Sequence, residues 1–131
     1  MLTIFEKILL GHLIGDYLLQ SKKMAIAKST KGLIGLTWCL IHCLLYTLII
    51  YLMTTTHDPI KIVLIFMSHF PIDRWSLASW WLKVIKGRDL MTAYHSTANY
   101  HEIDLSFSVI IYVVVDNTMH LLLMTAIFNY L

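Results

Sequence analysis

The sequence predicts an all-α fold: an integral membrane four-helix bundle formed by a single transmembrane domain over residues 1–131. Three observations predict it. The chain is 58% hydrophobic and 14% charged, whereas ordinary soluble domains run about 45–50% apolar and about 25% charged. Its apolar residues fall into four runs, at about 2–20, 32–53, 60–82 and 105–130, each near the length of about 20 residues that a bilayer requires. Its Lys and Arg collect in alternate connections between those runs.

The first run opens Met1-Leu2-Thr3-Ile4-Phe5-Glu6-Lys7. With no basic leader and no small-residue cleavage site, it reads as a retained span rather than a signal peptide. The connection after it carries Lys22, Lys23, Lys28 and Lys31. The second run holds both cysteines, Cys39 and Cys43, which read as buried small thiols. It ends at the short turn Thr54-Thr55-Thr56-His57-Asp58-Pro59. The third run contains Pro71, which predicts a kink at that point. A long polar stretch from Lys83 to Asp104, with Lys83, Lys86 and Arg88, precedes the fourth run. Basic residues favour the cytoplasmic side, so the first and third connections face inward and both termini lie outside. The net charge of +2 forms no continuous basic stripe, and nucleic acid is not an expected partner.

Charged groups at the centre of a bilayer cost roughly 2.5–3.5 kcal/mol each on insertion scales and mark function. This chain has several. His12 and Asp16 lie in the first run, His42 in the second, His69 and Asp73 in the third, and Asp116 and His120 in the fourth. Three runs thus repeat a His/Asp pair at spacing four, which places both side chains on one helical face about 6 Å apart. The order reverses to Asp then His in the fourth run, whose direction is opposite, so every Asp falls on the cytoplasmic side of its His. At about 1.5 Å per residue, His12, His42, His69 and Asp73 come out roughly 12–20 Å deep, with Asp16 shallower and His120 deeper.

Imidazole and carboxylate together suit Zn, and also Mn or Fe. Seven candidate ligands, His12, Asp16, His42, His69, Asp73, Asp116 and His120, exceed what one tetrahedral ion needs. Two or more divalent ions are therefore expected, bridged by a carboxylate. Plainer readings exist for each residue. A lone intramembrane His is more often a hydrogen-bonding group between helices, and the His/Asp pairs also suit a proton relay. Haem fits poorly beside three aspartates. Asn117, Gln20 and Ser76 are placed to support the ligands, and Arg74 either pairs with a carboxylate or meets an anionic substrate. Trp38, Cys39 and Tyr46 near His42 read first as packing, with Cys39 a minor ligand candidate. His57, His95 and His101 fall in connections and are expected to see solvent.

The strings Gly11-His12-Leu13-Ile14-Gly15-Asp16-Tyr17-Leu18-Leu19-Gln20, Ile41-His42, Ser68-His69-Phe70-Pro71-Ile72-Asp73 and Asp116-Asn117-Thr118-Met119-His120 carry a resemblance over most of the chain. They resemble the small bacterial and phage membrane proteins designated domain of unknown function thirty-three-oh-seven. The resemblance implies a multi-pass protein of the bacterial inner (cytoplasmic) membrane, encoded by a bacterium or a phage. That family is distantly similar to predicted membrane-bound metal-dependent hydrolases, and more remotely to all-helical zinc phospholipases and nucleases. The likeness implies ligand roles for the same seven His and Asp residues.

The function expected from these readings is metal-dependent hydrolysis at or inside the bilayer, of a phosphoester in a lipid-linked or amphipathic substrate. Asp16 or Asp73 would serve as general base. No Gly-x-Ser-x-Gly string suggests a covalent nucleophile. The alternatives are an ion or proton transporter using the same groups, and a structural or regulatory membrane protein of a bacterium or phage.

Overall fold

A computed structural model describes residues 1–131, and it is all-helical, with no strand. Helix α1 (Ile4–Leu13) begins at a capping box, in which Thr3 Oγ1 accepts from the Glu6 amide and the Glu6 carboxylate accepts from the Thr3 amide. It runs straight into a π turn over Ile14–Leu18, closed by the Leu19 amide donating to the Ile14 carbonyl at 2.9 Å. Ser21 then caps the short α2 (Lys22–Ala27). Helix α3 (Leu33–Thr54) is the long apolar second run. Asp58 caps α4 (Pro59–Arg74), with Pro59 in the first turn, where its missing N–H does no harm. Helices α5 (Leu77–Ile85), α6 (Leu90–His95) and α7 (His101–Tyr130) complete the chain.

Helix α1 packs on α3 and α7, α3 on α4, and α4 on α7, which closes a ring of four helices. One end is an apolar core of Ile8, Tyr46, Ile50, Ile65, Met124 and Ile127. From that core, the polar residues His12, His42, His69 and His120 are reached by moving forward along α1 and α4 and backward along α3 and α7. Neighbouring helices in the ring therefore alternate in direction.

Two helices, α3 and α7, are long and apolar enough to cross a membrane. The first and third runs differ from their expected spans of 2–20 and 60–82. The first stops at the π turn. The third is cut in two, because Ser76 takes a left-handed conformation (φ 48°) after the Ser76 amide has closed on the Asp73 carbonyl. The break falls at Trp75–Ser76, a turn beyond Pro71, and it releases α5 to pack against α7. At 16 residues, α4 is about 24 Å long, short of a hydrocarbon core of about 30 Å. The stretch expected to be a polar connection holds α6 and the first turn of α7.

Polar side chains reach the inside, and apolar ones cover much of the outside. Only 24 of 131 residues are buried, and four of them are His12, His42, His69 and His120. Leu44, Leu48 and Leu52 on α3, Val63 and Met67 on α4, and Ile110, Val114 and Leu122 on α7 are exposed. Outer faces this apolar are rare on soluble monomers and mark contact with a nonaqueous partner.

Candidate metal centre

Three elements bring their polar side chains to one point. The π turn supplies Asp16, α3 supplies His42, and α4 supplies His69 and Asp73. His42 Nε2 lies 3.0 Å from His69 Nε2, 3.2 Å from Asp16 Oδ1 and 2.9 Å from Asp73 Oδ2. His69 Nε2 lies 3.1 Å from Asp73 Oδ2 and 3.6 Å from Asp16 Oδ1. Around a zinc ion with bonds of about 2.0–2.1 Å, tetrahedral ligands stand about 3.3 Å apart. The five separations among these atoms lie near that spacing.

The protein alone does not satisfy these atoms. Asp16 Oδ1 and Asp73 Oδ2 are buried without a hydrogen-bond partner, as are His69 Nδ1 and His120 Nε2. Orphaned buried polar atoms are uncommon and expensive. Two imidazole nitrogens 3.0 Å apart, facing two carboxylate oxygens, hold too few protons for every contact, and a cation among them resolves the shortage. The donor set therefore fits a divalent ion.

A second group lies beside the first. His12 Nδ1 is 3.3 Å from Asp16 Oδ2, and His12, Asp16 and His120 offer ligand atoms all within 4.8 Å of one another. The rings of His12 and His120 stand 5.3 Å apart. Tyr46 lies between the groups: its hydroxyl is 3.1 Å from His12 Nδ1, and its ring stacks on His69 at 3.7 Å. Gly15 makes room for that ring, since a Cβ there would meet Tyr46 Cδ2 at 2.8 Å.

Six of the seven expected ligands thus converge. Asp116 stands apart. Its main-chain carbonyl accepts from His120 Nδ1 at 2.9 Å, while its carboxylate keeps 3.8 Å from that nitrogen. The carboxylate helps to line a cavity of about 260 Å³ with Asp16, Tyr17, Gln20, Lys28 and Tyr112. Gln20 and Asn117 occupy supporting positions: the Gln20 amide nitrogen is 3.1 Å from His42 Nε2, and Asn117 Oδ1 is 2.7 Å from His12 Nε2. Ser76 sits at the helix break.

Arg74 pairs with main-chain carbonyls rather than with a carboxylate. Its guanidinium donates to the main-chain carbonyls of Thr30 at 2.6 Å and Lys28 at 3.4 Å. It thereby holds the connection that delivers Lys28, whose Nζ is 2.8 Å from Asp73 Oδ1. Lys28 is the functional residue that the sequence reading missed, because one lysine among four in a basic connection looks like a topology signal. Cys43, rather than Cys39, is the thiol that groups with His69 and Asp73. His57 and His95 are exposed and His101 partly so.

Asp73 lies in the last turn of α4 and Asp16 in the π turn that ends its run, whereas His42 and His120 lie well inside α3 and α7.

Over residues 4–131 the chain matches the family described as protein of unknown function (DUF3307). It belongs to that family. No curated protein and no solved structure matches it. For a member of DUF3307, the chemistry therefore has to be argued from the centre itself.

Proposed function

We propose that this protein is a membrane-embedded metal-dependent hydrolase of the bacterial inner membrane, acting on a phosphoester in a lipid-linked or amphipathic substrate. The observation that carries the reading is the convergence of Asp16 and Asp73 on the paired imidazoles of His42 and His69, at 2.9–3.6 Å from the imidazole nitrogens, with two carboxylate oxygens left unpartnered. The apolar outer faces of α3, α4 and α7 support placement of the ring in lipid, with both termini outside as the basic connections require.

Zn is the first choice of ion, with Mn or Fe as alternatives; bound in the cluster, it would supply Lewis acidity, acidifying water to a pKa of about 7 and polarising a phosphoryl oxygen. The chain's own groups do the rest. Lys28 brings positive charge to the cavity wall, where an anionic headgroup would sit. Tyr17, Tyr112 and Val113 give the same wall an apolar side suited to an alkyl chain. Asp16 and Asp73 both lie in the ligand set, so the proton-accepting role expected of them falls more readily to Asp116, whose carboxylate faces the cavity outside that set.

Ion or proton transport is the competing reading. The core of Ile8, Ile50, Ile65, Met124 and Ile127 closes one end of the bundle and weighs against a through-path.

The test is elemental analysis of purified protein combined with a panel of lipid phosphates. Bound Zn, phosphate release, and loss of both in Asp73→Ala are expected, with Asp116→Asn keeping the metal and losing turnover. Chelation should lower the unfolding temperature and added Zn²⁺ restore it. Wild-type protein that binds no divalent ion, or that moves ions across proteoliposomes without cleaving any ester, sinks the reading.

A further inference from the structure

The protons of the second histidine group are fixed by its neighbours. Asn117 Nδ2 donates to the Val113 carbonyl at 2.6 Å and also to the Tyr17 hydroxyl. That settles which end of the amide is nitrogen, so Oδ1 is the atom facing His12 Nε2 at 2.7 Å. An amide oxygen only accepts, and His12 Nε2 must therefore carry its proton. In the neutral ring Nδ1 is then a lone pair, and it faces Asp16 Oδ2, another acceptor, at 3.3 Å.

His120 reaches the same state by a different route. Its Nδ1 donates to the Asp116 main-chain carbonyl at 2.9 Å. Nε2 is left as a lone pair, in a residue with no exposed surface, and it has no partner. Ligating histidines are oriented in this way, with one nitrogen donating to an oxygen and the other aimed at the ion. Tyr46 can give its one hydroxyl proton to His12 Nδ1, but this leaves His120 Nε2 without a donor.

The two oxygens of Asp16 divide between the groups. Oδ1 belongs with His42 and His69, and Oδ2 with His12. Granting the metal reading of the first group, we infer that the centre holds two divalent cations that share the Asp16 carboxylate, one among His42, His69, Asp16 and Asp73 and the other among His12, Asp16 and His120. The first site has four protein ligands and the second has three. Three protein ligands leave a coordination position open, as catalytic zinc sites do.

The test counts ions and does not depend on turnover. Full-length protein in detergent is loaded with excess Zn²⁺, desalted and analysed for metal. Two equivalents per chain are expected in the wild type, one in His12→Ala and in His120→Ala, and two in His57→Ala, which changes an exposed histidine of a connection. Where a variant misfolds, Mn²⁺-loaded wild type gives a second readout. A shared carboxylate predicts an exchange-coupled resonance spectrum in place of the six-line signal of isolated Mn²⁺. One equivalent in the wild type, which is what a proton in place of the second ion predicts, or two uncoupled ions, overturns the inference. One ion with hydrolysis intact would refute only the second site; two coupled ions with no hydrolysis would refute only the proposed activity.

Discussion

Lys28 Nζ lies 2.8 Å from Asp73 Oδ1, so the most enclosed carboxylate of the cluster draws a countercharge from the connection after the π turn. Removing one partner of a buried pair leaves the other uncompensated, at about 3 kcal/mol or more. In metal-free protein, Lys28→Met and Asp73→Asn should each destabilise by that order. The double variant should lose less than their sum, as read from unfolding in detergent. Additive losses would show that the two groups are not coupled.

Three glycines predict a graded series. A Cβ at Gly35 would meet the Thr30 carbonyl oxygen at 2.0 Å, one at Gly15 the Tyr46 ring at 2.8 Å, and one at Gly11 the end of the Ile50 side chain at 2.8 Å. Backbone yields least and a flexible terminus most, so Gly35→Ala should be the most damaging and Gly11→Ala the mildest. Overpacking costs typically 1–3 kcal/mol, roughly the scale expected for Gly15→Ala. Gly15→Ala should also lower metal content, because the displaced Tyr46 ring stacks on His69.

Arg74→Gln should weaken the connection and leave substrate affinity unchanged. Hydrogen bonds from a charged group contribute about 1.5–3 kcal/mol, and this guanidinium makes its bonds to the carbonyls of Lys28 and Thr30. Faster amide exchange around residues 28–32 with an unaltered KM is the expected result. A raised KM with unchanged exchange would return Arg74 to the substrate.

Acid should loosen α6 through Asp89. Lys83, 2.6 Å away, holds the Asp89 carboxyl below the usual carboxylate range, helped by the amides of Thr92 and Met91. A group whose pKa is lowered on folding stabilises above its unfolded value, about 3.9, and that contribution is lost as pH falls through the lowered one. At neutral pH, Asp89→Ala should speed exchange of the Met91 and Thr92 amides relative to wild type. The gap should close in strong acid. A gap independent of pH would assign the effect to helix capping by an uncharged oxygen.

The residues of the cluster were legible because polar residues inside apolar runs have few other reasons to be there, and because spacing four recurred in three runs. Their partition was not. It depends on which oxygen of Asp16 faces which histidine, a matter of side-chain rotation that spacing does not encode. Asp116 kept the spacing of its counterparts but points its carboxylate to the cavity, while its main-chain carbonyl takes the bond to His120. The division of the third run escaped hydropathy because Trp75 and Leu77 on either side of Ser76 are as apolar as the helix they interrupt. Lys28 was hidden by its company, since Lys22, Lys23 and Lys31 carry the same charge a few residues away.

The π turn at Ile14–Leu18 has one further consequence. A π turn is an α-helix with one surplus residue wound into it, and such turns gather at functional sites. A chain one residue shorter there would close as ordinary α-helix and rotate everything beyond it by about 100°. Asp16 and Gln20 would swing off their histidines, while Gly11 and His12 stayed where they are. At this turn a single-codon deletion would yield a better helix and a dismantled cluster.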